Sequence, residues 1–234
     1  MRYYVLAFGL LLCLAPALTA QVRQGIGINL FPNYSHRRLV AFQDISQAQI
    51  DSLEVAERFR PSYAAGLLFT SRAEKVGVQM GLQYSDTGYR GIRTPLPITD
   101  PKASQYTQYR VEFRTRQIEV PFSVLFYQAL TDQDEFYFLL GTGLSFNFGN
   151  QYRTTYYSGD RSETEKTDAE GEFRRINYCF QSAMGWEHQF ANSFTLNIAP
   201  TFRLWLSGLL REGNLNRNLY QLGVNLSVRW ERER

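Results

Sequence analysis

The chain has 234 residues, of which 44% are hydrophobic, 15% aromatic and 20% charged, and its formal net charge is +3. This composition excludes a disordered, collagen-like or coiled-coil protein, and the nearly balanced charge argues against a dedicated nucleic-acid-binding protein. The seventeen Phe and fifteen Tyr residues favour β-strands over helices.

The first twenty residues have the pattern of an export signal. Arg2 supplies a positive charge, residues 5–18 are almost entirely apolar, and Leu18-Thr19-Ala20 offers a cleavage site. The apolar stretch is about 14 residues, whereas a membrane-spanning helix needs roughly 20. We therefore predict a cleaved signal peptide over residues 1–20 and one exported domain over residues 21–234. Cleavage removes Cys13 and leaves only Cys179, which excludes an internal disulfide in the mature chain.

Eight later segments alternate apolar residues with small or polar ones at period two, as strands do. Between Phe136 and Gly149 one face is almost wholly apolar, and the other carries mainly Gly, Ser and Asn. Each segment supplies the roughly 9–11 residues that a tilted transmembrane strand needs. The predicted strands cover about 24–35, 62–71, 75–90, 110–128, 135–152, 173–190, 193–209 and 218–231.

The connections between these segments alternate in length. Those near 71–75, 130–135 and 191–193 are tight, whereas those over 36–61, 91–109, 153–172 and 210–217 are longer. Short periplasmic turns and long external loops are typical of outer-membrane barrels. We predict an all-β fold, an eight-stranded antiparallel up-and-down transmembrane β-barrel. The alternative is a soluble, lipocalin-like barrel, in which the apolar faces would point inward.

The residues also resemble a known family. The segment Arg116 to Phe126, which contains Ile-Glu-Val-Pro, resembles the fourth-strand motif of the PorT-like outer-membrane β-barrel proteins. Residues 25–29, 139–143 and 222–226 resemble their first, fifth and last strands. The resemblance implies an outer-membrane location and a barrel fold. The family is mostly of unassigned function, with some members tied to protein secretion.

An eight-stranded barrel is just wide enough for side chains to fill its interior. Because buried charges are normally paired, we expect two ion pairs across the lumen. Glu119 should meet Arg203 near mid-barrel, and Glu187 should meet Arg229 near the periplasmic mouth. Gln79 and Asn225 complete the predicted structural network of polar lumen residues. The alternative is a narrow pore gated by these pairs.

The residues offer little for catalysis. The chain has two histidines, His36 and His188, and Ser35 next to His36 would point to the opposite face of a strand. Neither histidine is accompanied by a nucleophile and an orienting acid, or by a metal-binding cluster. We expect no enzyme activity, no catalytic or metal site and no cofactor; a lipid-modifying enzyme is the less favoured alternative.

Function is expected in the external loops, since the strands are committed to lipid and lumen. In loop 36–61, Ser46 and Gln49 suggest a capping box that opens a helix over about 47–58. Loop 153–172 has an acidic excess, which is either solvated or attracts divalent cations. We predict a monomer with a structural or interaction role, in contact with outer-membrane lipid and with an envelope protein through loops 36–61 and 153–172. A component of an envelope transport system is the alternative.

Overall fold

The structure is a computed structural model that describes residues 22–41, 45–169, 173–211 and 215–233. The predicted signal peptide lies outside the described residues. These residues contain no helix long and apolar enough to span a membrane. They form one helix and eleven strands: β1 (Val22–Ala41), α1 (Gln47–Ala56), β2 (Glu57–Arg58), β3 (Arg60–Ala73), β4 (Val76–Gly91), β5 (Thr94–Pro95), β6 (Gln108–Ala129), β7 (Asp134–Ser158), β8 (Arg161–Asp168), β9 (Ile176–Gln189), β10 (Phe194–Trp205) and β11 (Leu215–Glu233).

Eight long strands close into an antiparallel ring. In chain order, β1, β3, β4, β6, β7, β9, β10 and β11 each pair with the next, and β11 pairs back onto β1. The closing register runs from Arg23 opposite Glu233 to Ala41 opposite Leu215. Every predicted strand overlaps one strand of this ring, and the predicted eight-stranded up-and-down barrel is confirmed.

The two faces of the wall differ as the period-two pattern requires. Along β1, Ile26 and Ile28 point outward and are 57% and 62% exposed. Asn29, which lies between the outward residues Ile28 and Leu30, points inward and is 5% exposed. The same alternation runs through the other ring strands, with apolar side chains outside and polar ones inside. A barrel with an apolar interior and a polar outer face is therefore excluded.

The two ends of the barrel differ in their connections. At one end, here called the turn end, short turns lie around residues 74–75, 130–133 and 190–193. At the other, the loop end, α1, β2, β5 and β8 extend the ring strands. Helix α1 begins as the capping pattern predicted, because the Ser46 side chain accepts a hydrogen bond from the Gln49 backbone N–H.

Two expectations about the loops were wrong. Most of residues 153–172 form a hairpin: β7 continues to Ser158, Gly159 turns the chain at φ 56°, and β8 returns along β7. The Thr- and Tyr-rich end of β7 suits an extended strand, but the charged β8 carries no apolar residue that marks it as one. Similarly, β1 continues through the start of the predicted loop 36–61 to Ala41, paired with β11.

Candidate functional site

The middle of the lumen is built around the Glu119 carboxylate. One oxygen accepts a hydrogen bond from Gln117 at 3.0 Å, and the other accepts from Gln83 and from Arg203, whose Nη1 lies 3.0 Å away. The network continues from Gln83 to Asn29 at 3.1 Å. Four strands are thereby tied together through one buried ion pair, and the structure brings Glu119 and Arg203 together as the sequence analysis expected.

The second predicted pair lies toward the turn end. Glu187 forms an ion pair with Arg229, which also contacts Glu231 at 3.1 Å. Asn197 donates to Glu187 at 3.4 Å and accepts from the Tyr137 hydroxyl at 2.7 Å. All these side chains point into the barrel and are buried. The turn end is consequently crossed by a continuous polar network rather than by one isolated pair.

Arg72 belongs to this network, although no sequence pattern points to it. It binds both carboxylate oxygens of Glu135, lies 4.0 Å from Glu187, and stacks over the Tyr127 ring at 3.8 Å from guanidinium carbon to ring centroid. Arg72 and Glu135 each lie beside a short turn in the sequence. Only the register of the whole ring shows that these two turns bring them together.

The two remaining predicted lumen residues, Gln79 and Asn225, are half-buried and line a small cavity at mid-barrel. The cavity has a volume of about 20 Å³. A single water needs about 10–15 Å³, so this space holds about one water molecule. The described lumen is therefore packed and contains no continuous aqueous path at this level.

Apolar side chains close the lumen toward the loop end. Phe113, Trp205, Leu209 and Leu219 form one buried cluster with Cys179. The Trp205 indole N–H donates to the Ser145 hydroxyl at 3.2 Å, so its polar group is satisfied inside the barrel.

Charged groups that the sequence patterns assigned to no site lie at the same end of the barrel. Arg60 contacts Asp86 at 2.6 Å and Glu112 at 2.9 Å, and Arg114 forms a second ion pair with Asp86. A separate group joins Glu57 to Arg37 and, at 3.1 Å, to Arg217. These residues lie toward the loop end of their strands, where the alternation of apolar and polar residues ends. The sequence therefore does not indicate which of these charges form pairs.

Arg37 also fixes helix α1. Its Nη2 donates at 2.8 Å to the Leu53 carbonyl in the last turn of the helix, and the same carbonyl accepts from the Glu57 backbone N–H. No residue of α1 is buried. The helix is thus held by its end, at the loop end of the ring, and leaves its remaining surface accessible.

The two histidines lie at opposite ends of the barrel. His36 packs between Phe59 and Tyr220, with ring centroids 4.7 and 5.7 Å away. His188 contacts Asp134 through Nδ1 at 2.8 Å and stacks with Trp186. Neither contact places a nucleophile beside the imidazole, and no group of three or more His, Cys, Asp or Glu among the described residues is arranged to hold a metal ion.

The longest ring strands extend into a sheet at the loop end. We call this sheet, formed by β5, residues 108–116 of β6, residues 149–158 of β7, and β8, the platform. Strand β7 alone has 25 residues, far more than the roughly 9–11 that cross a membrane. Its strands pair in the order β5, β6, β7, β8, and β6 pairs with β4 below.

A loop is fastened to one face of the platform by Lys102. This lysine contacts Glu163 at 2.9 Å and Glu165 at 2.6 Å, and its ammonium lies 4.6 Å from the Tyr156 ring centroid. The Tyr106 hydroxyl donates to Glu163 at 2.7 Å. Glu163 and Glu165, two of the acidic residues in the predicted solvated or cation-binding loop, are therefore engaged in binding the neighbouring loop.

These contacts make loop docking sensitive to pH. Hydrogen bonds from Tyr106 and Lys102 lower the pKa of Glu163, and the hydrogen bonds with Glu165 and Glu163 raise the pKa of Lys102. The Glu163 carboxylate stabilises the docked loop fully above the ordinary Glu pKa, and this stabilisation is lost as pH falls through the lowered pKa. The Lys102 ammonium stabilises the docked loop fully below the ordinary Lys pKa, and this stabilisation is lost as pH rises through the raised pKa.

We therefore expect docking to be intact at neutral pH and to loosen below about pH 4. The amide exchange protection of Thr107, which donates to the Tyr157 carbonyl at 2.9 Å, measures it directly. Lys102→Met should lower this protection already at neutral pH, whereas Lys166→Met on β8 should leave it unchanged. Equal protection in the Lys102→Met protein and the unaltered protein would contradict the assignment.

Comparison with known proteins identifies a matching family. Residues 20–204 match the family described as "Outer membrane protein beta-barrel domain". No curated protein matches the chain. Similar solved structures include Neisserial surface protein A (10% identity, 88% of this chain and 96% of that chain, TM-score 0.43) and OprG from Pseudomonas aeruginosa (10%, 89% and 95%, 0.45). A third is Ail from Yersinia pestis (12%, 87% and 97%, 0.32).

Proposed function

The chain belongs to the outer membrane protein β-barrel domain family, and we propose that it is a closed barrel whose role is to display its loop-end surface outside the cell. The packed lumen is the observation that carries this proposal. The cavity at mid-barrel is about 20 Å³, the buried Glu187–Arg229 ion pair lies toward the turn end, and the apolar cluster lies toward the loop end. A solute larger than water has no passage through such an interior.

The loop end, in contrast, carries ordered structure that the barrel itself does not need. A platform with its own strand pairing, a loop fastened by Lys102 and a helix held by Arg37 together form a fixed surface. Fixed loops on a rigid scaffold are the usual place of binding residues. We propose an interaction role for this surface, without catalysis or a cofactor, in a monomeric barrel. The narrower kinship with PorT-like proteins is part of the same proposal.

Complementation of a deletion strain tests this role, with envelope permeability to a bulky antibiotic as the readout. One variant shortens the hairpin by removing residues 155–164, and a second replaces Trp205 with Phe inside the lumen. We expect the lumen variant to restore the envelope barrier and the hairpin variant to fail. If the hairpin variant complements fully while the lumen variant does not, a transport role is the correct one.

A further inference from the structure

The platform has two chemically different faces. Because successive residues of a strand point to opposite sides, cross-strand partners share a face. Glu163 and Glu165 lie opposite Tyr156 and Thr154, on the face that binds Lys102. Lys166 lies opposite Arg153, and Arg153 in turn lies opposite Glu112 and, one strand further, Arg90. One face is thus acidic and covered by a loop, and the other is rich in cations.

This basic face comprises six cations that form no ion pair with any described residue: Arg90, Arg93, Arg110, Arg116, Arg153 and Lys166. Arg93 and Arg110 lie over the ring of Tyr157, which is on this face. Arg114 and Glu112 on the same face are already bound within the Arg60 and Asp86 cluster. Of the acidic residues of β8, only Asp168 lies on the basic face, opposite Gln151. Burial and the neighbouring Arg114 lower the pKa of Arg153, and the nearby carboxylates of Glu112 and Asp86 offset this only in part.

The basic face continues the lipid-facing wall. Ile118, Tyr84 and Phe146 form one cross-strand row on the outside of the barrel. The next outward position on β6 is Arg116, which at two residues per step lies roughly 7 Å further along the strand. The sequence of outward residues on β6 then runs through Arg114 and Glu112 to Arg110.

An aromatic row marks the boundary. The rings of Tyr63, Tyr84 and Phe148 follow one another around the outer wall, with centroids 6.1 and 6.2 Å apart. Such rings lie at the level of lipid headgroups in membrane barrels. The unpaired cations therefore begin where the hydrocarbon layer ends and face sideways over the outer leaflet.

We propose that this basic face binds the phosphate groups of an anionic glycolipid of the outer leaflet. Guanidinium groups match phosphate oxygens in two-point hydrogen bonds, and cations near a charged lipid surface attract it. Arg116 and Arg153 lie at successive heights above the apolar wall, as needed for a headgroup with phosphorylated sugars. The inference deepens the proposed display role, since it assigns one face of the displayed platform to lipid.

Titration of the folded mature chain in detergent with diphosphoryl lipid A tests the proposal, with retained lipid measured by native mass spectrometry. The test variant combines Arg116→Gln, Arg153→Gln and Lys166→Gln. The matched control removes the same charge elsewhere, with Lys75→Gln, Arg161→Gln and Arg232→Gln. We expect the test variant to bind about a hundredfold more weakly, since each cation near the lipid contributes about fivefold, and the control to bind like the unaltered chain.

Further arms separate the possible ligands. Lipid A stripped of its phosphates should bind as weakly as the test variant does to the intact lipid. Inorganic phosphate binding as tightly as the lipid, or dextran sulfate binding in its place, would overturn the assignment to a glycolipid. Equal binding of diphosphoryl lipid A by the test variant and the control would also overturn it.

Folding and function are monitored separately. An unchanged mobility difference between unboiled and boiled samples shows that a variant is folded. If the triple variant does not fold, Lys166→Gln alone, on an exposed strand, replaces it. This single variant should bind the lipid about fivefold more weakly than the unaltered chain. A triple variant that loses lipid yet still complements the deletion strain would overturn the link to display and leave the lipid site standing. If the hairpin deletion variant restores the envelope barrier of the deletion strain, only the display role is overturned.

Discussion

Replacing Glu119 with alanine is expected to destabilise the barrel by about 3–5 kcal/mol, because it leaves the Arg203 guanidinium buried without its counter-charge. The side chains of Arg203 and Glu119 are only 3% and 5% exposed, so water cannot compensate for the loss. Gln83 and Gln117 lose their acceptor in the same substitution. The midpoint of urea unfolding in detergent micelles, followed by tryptophan fluorescence, measures the change.

Neutralising both partners separates the charge effect from packing. The double variant Glu119→Gln with Arg203→Met removes the unpaired charge and keeps an amide oxygen for the neighbouring glutamines. It should be more stable than either single replacement. The matched control, Glu74→Gln in an exposed turn, should change stability by no more than about 0.5 kcal/mol. A Glu119→Ala protein as stable as this control would show that the Glu119–Arg203 pair does not stabilise the barrel.

Replacing Gly88 with alanine is the second substitution with a large expected effect. Gly88 has φ 152°, and a Cβ atom there would lie 2.0 Å from the Phe113 carbonyl oxygen. Its N–H donates to the Ser35 hydroxyl at 3.1 Å, and its carbonyl accepts from the same hydroxyl at 2.7 Å. Strain of this kind costs about 1–3 kcal/mol by itself, and separating β4 from β6 adds to it.

Gly149 provides the matched control, because a Cβ atom there meets nothing within 4 Å. We expect Gly88→Ala to lower the unfolding temperature in detergent by several degrees, and Gly149→Ala to leave it within error. Equal unfolding temperatures for the two variants would mean that the backbone at Gly88 moves away from Phe113 without cost.

The fold followed from the residues because a lipid-facing barrel imposes a strict period of two on long strands. Phe136 to Asn147 keeps that period in the structure, and the register with β6 shifts only at Phe148, where Gly149 comes to lie opposite Arg116. The opposite positions at Glu119 and Arg203 could be matched by depth alone. The contact between Arg72 and Glu135 could not, because it depends on how far the neighbouring strands are staggered. A shift of one residue in either strand would point one of these side chains to the lipid.

The loop end was harder to predict for a different reason. Outside the membrane neither face of a strand must be apolar, so β8, with Glu163 and Lys166 on opposite faces, gives no hydrophobic pattern. The same freedom allows the platform to keep its acidic face under a loop and its basic face open. Charge counted along the sequence hides this separation, whereas the register of β7 and β8 displays it.

A single measurement tests the closed lumen most directly: current recording after reconstitution of the folded protein into a planar lipid bilayer. We expect no current steps from the unaltered protein over a range of voltages, with a verified unboiled mobility shift showing that the inserted protein is folded. Reproducible steps whose size changes on replacing Arg203 would place an ion path through the polar network, and the barrel would then be a pore.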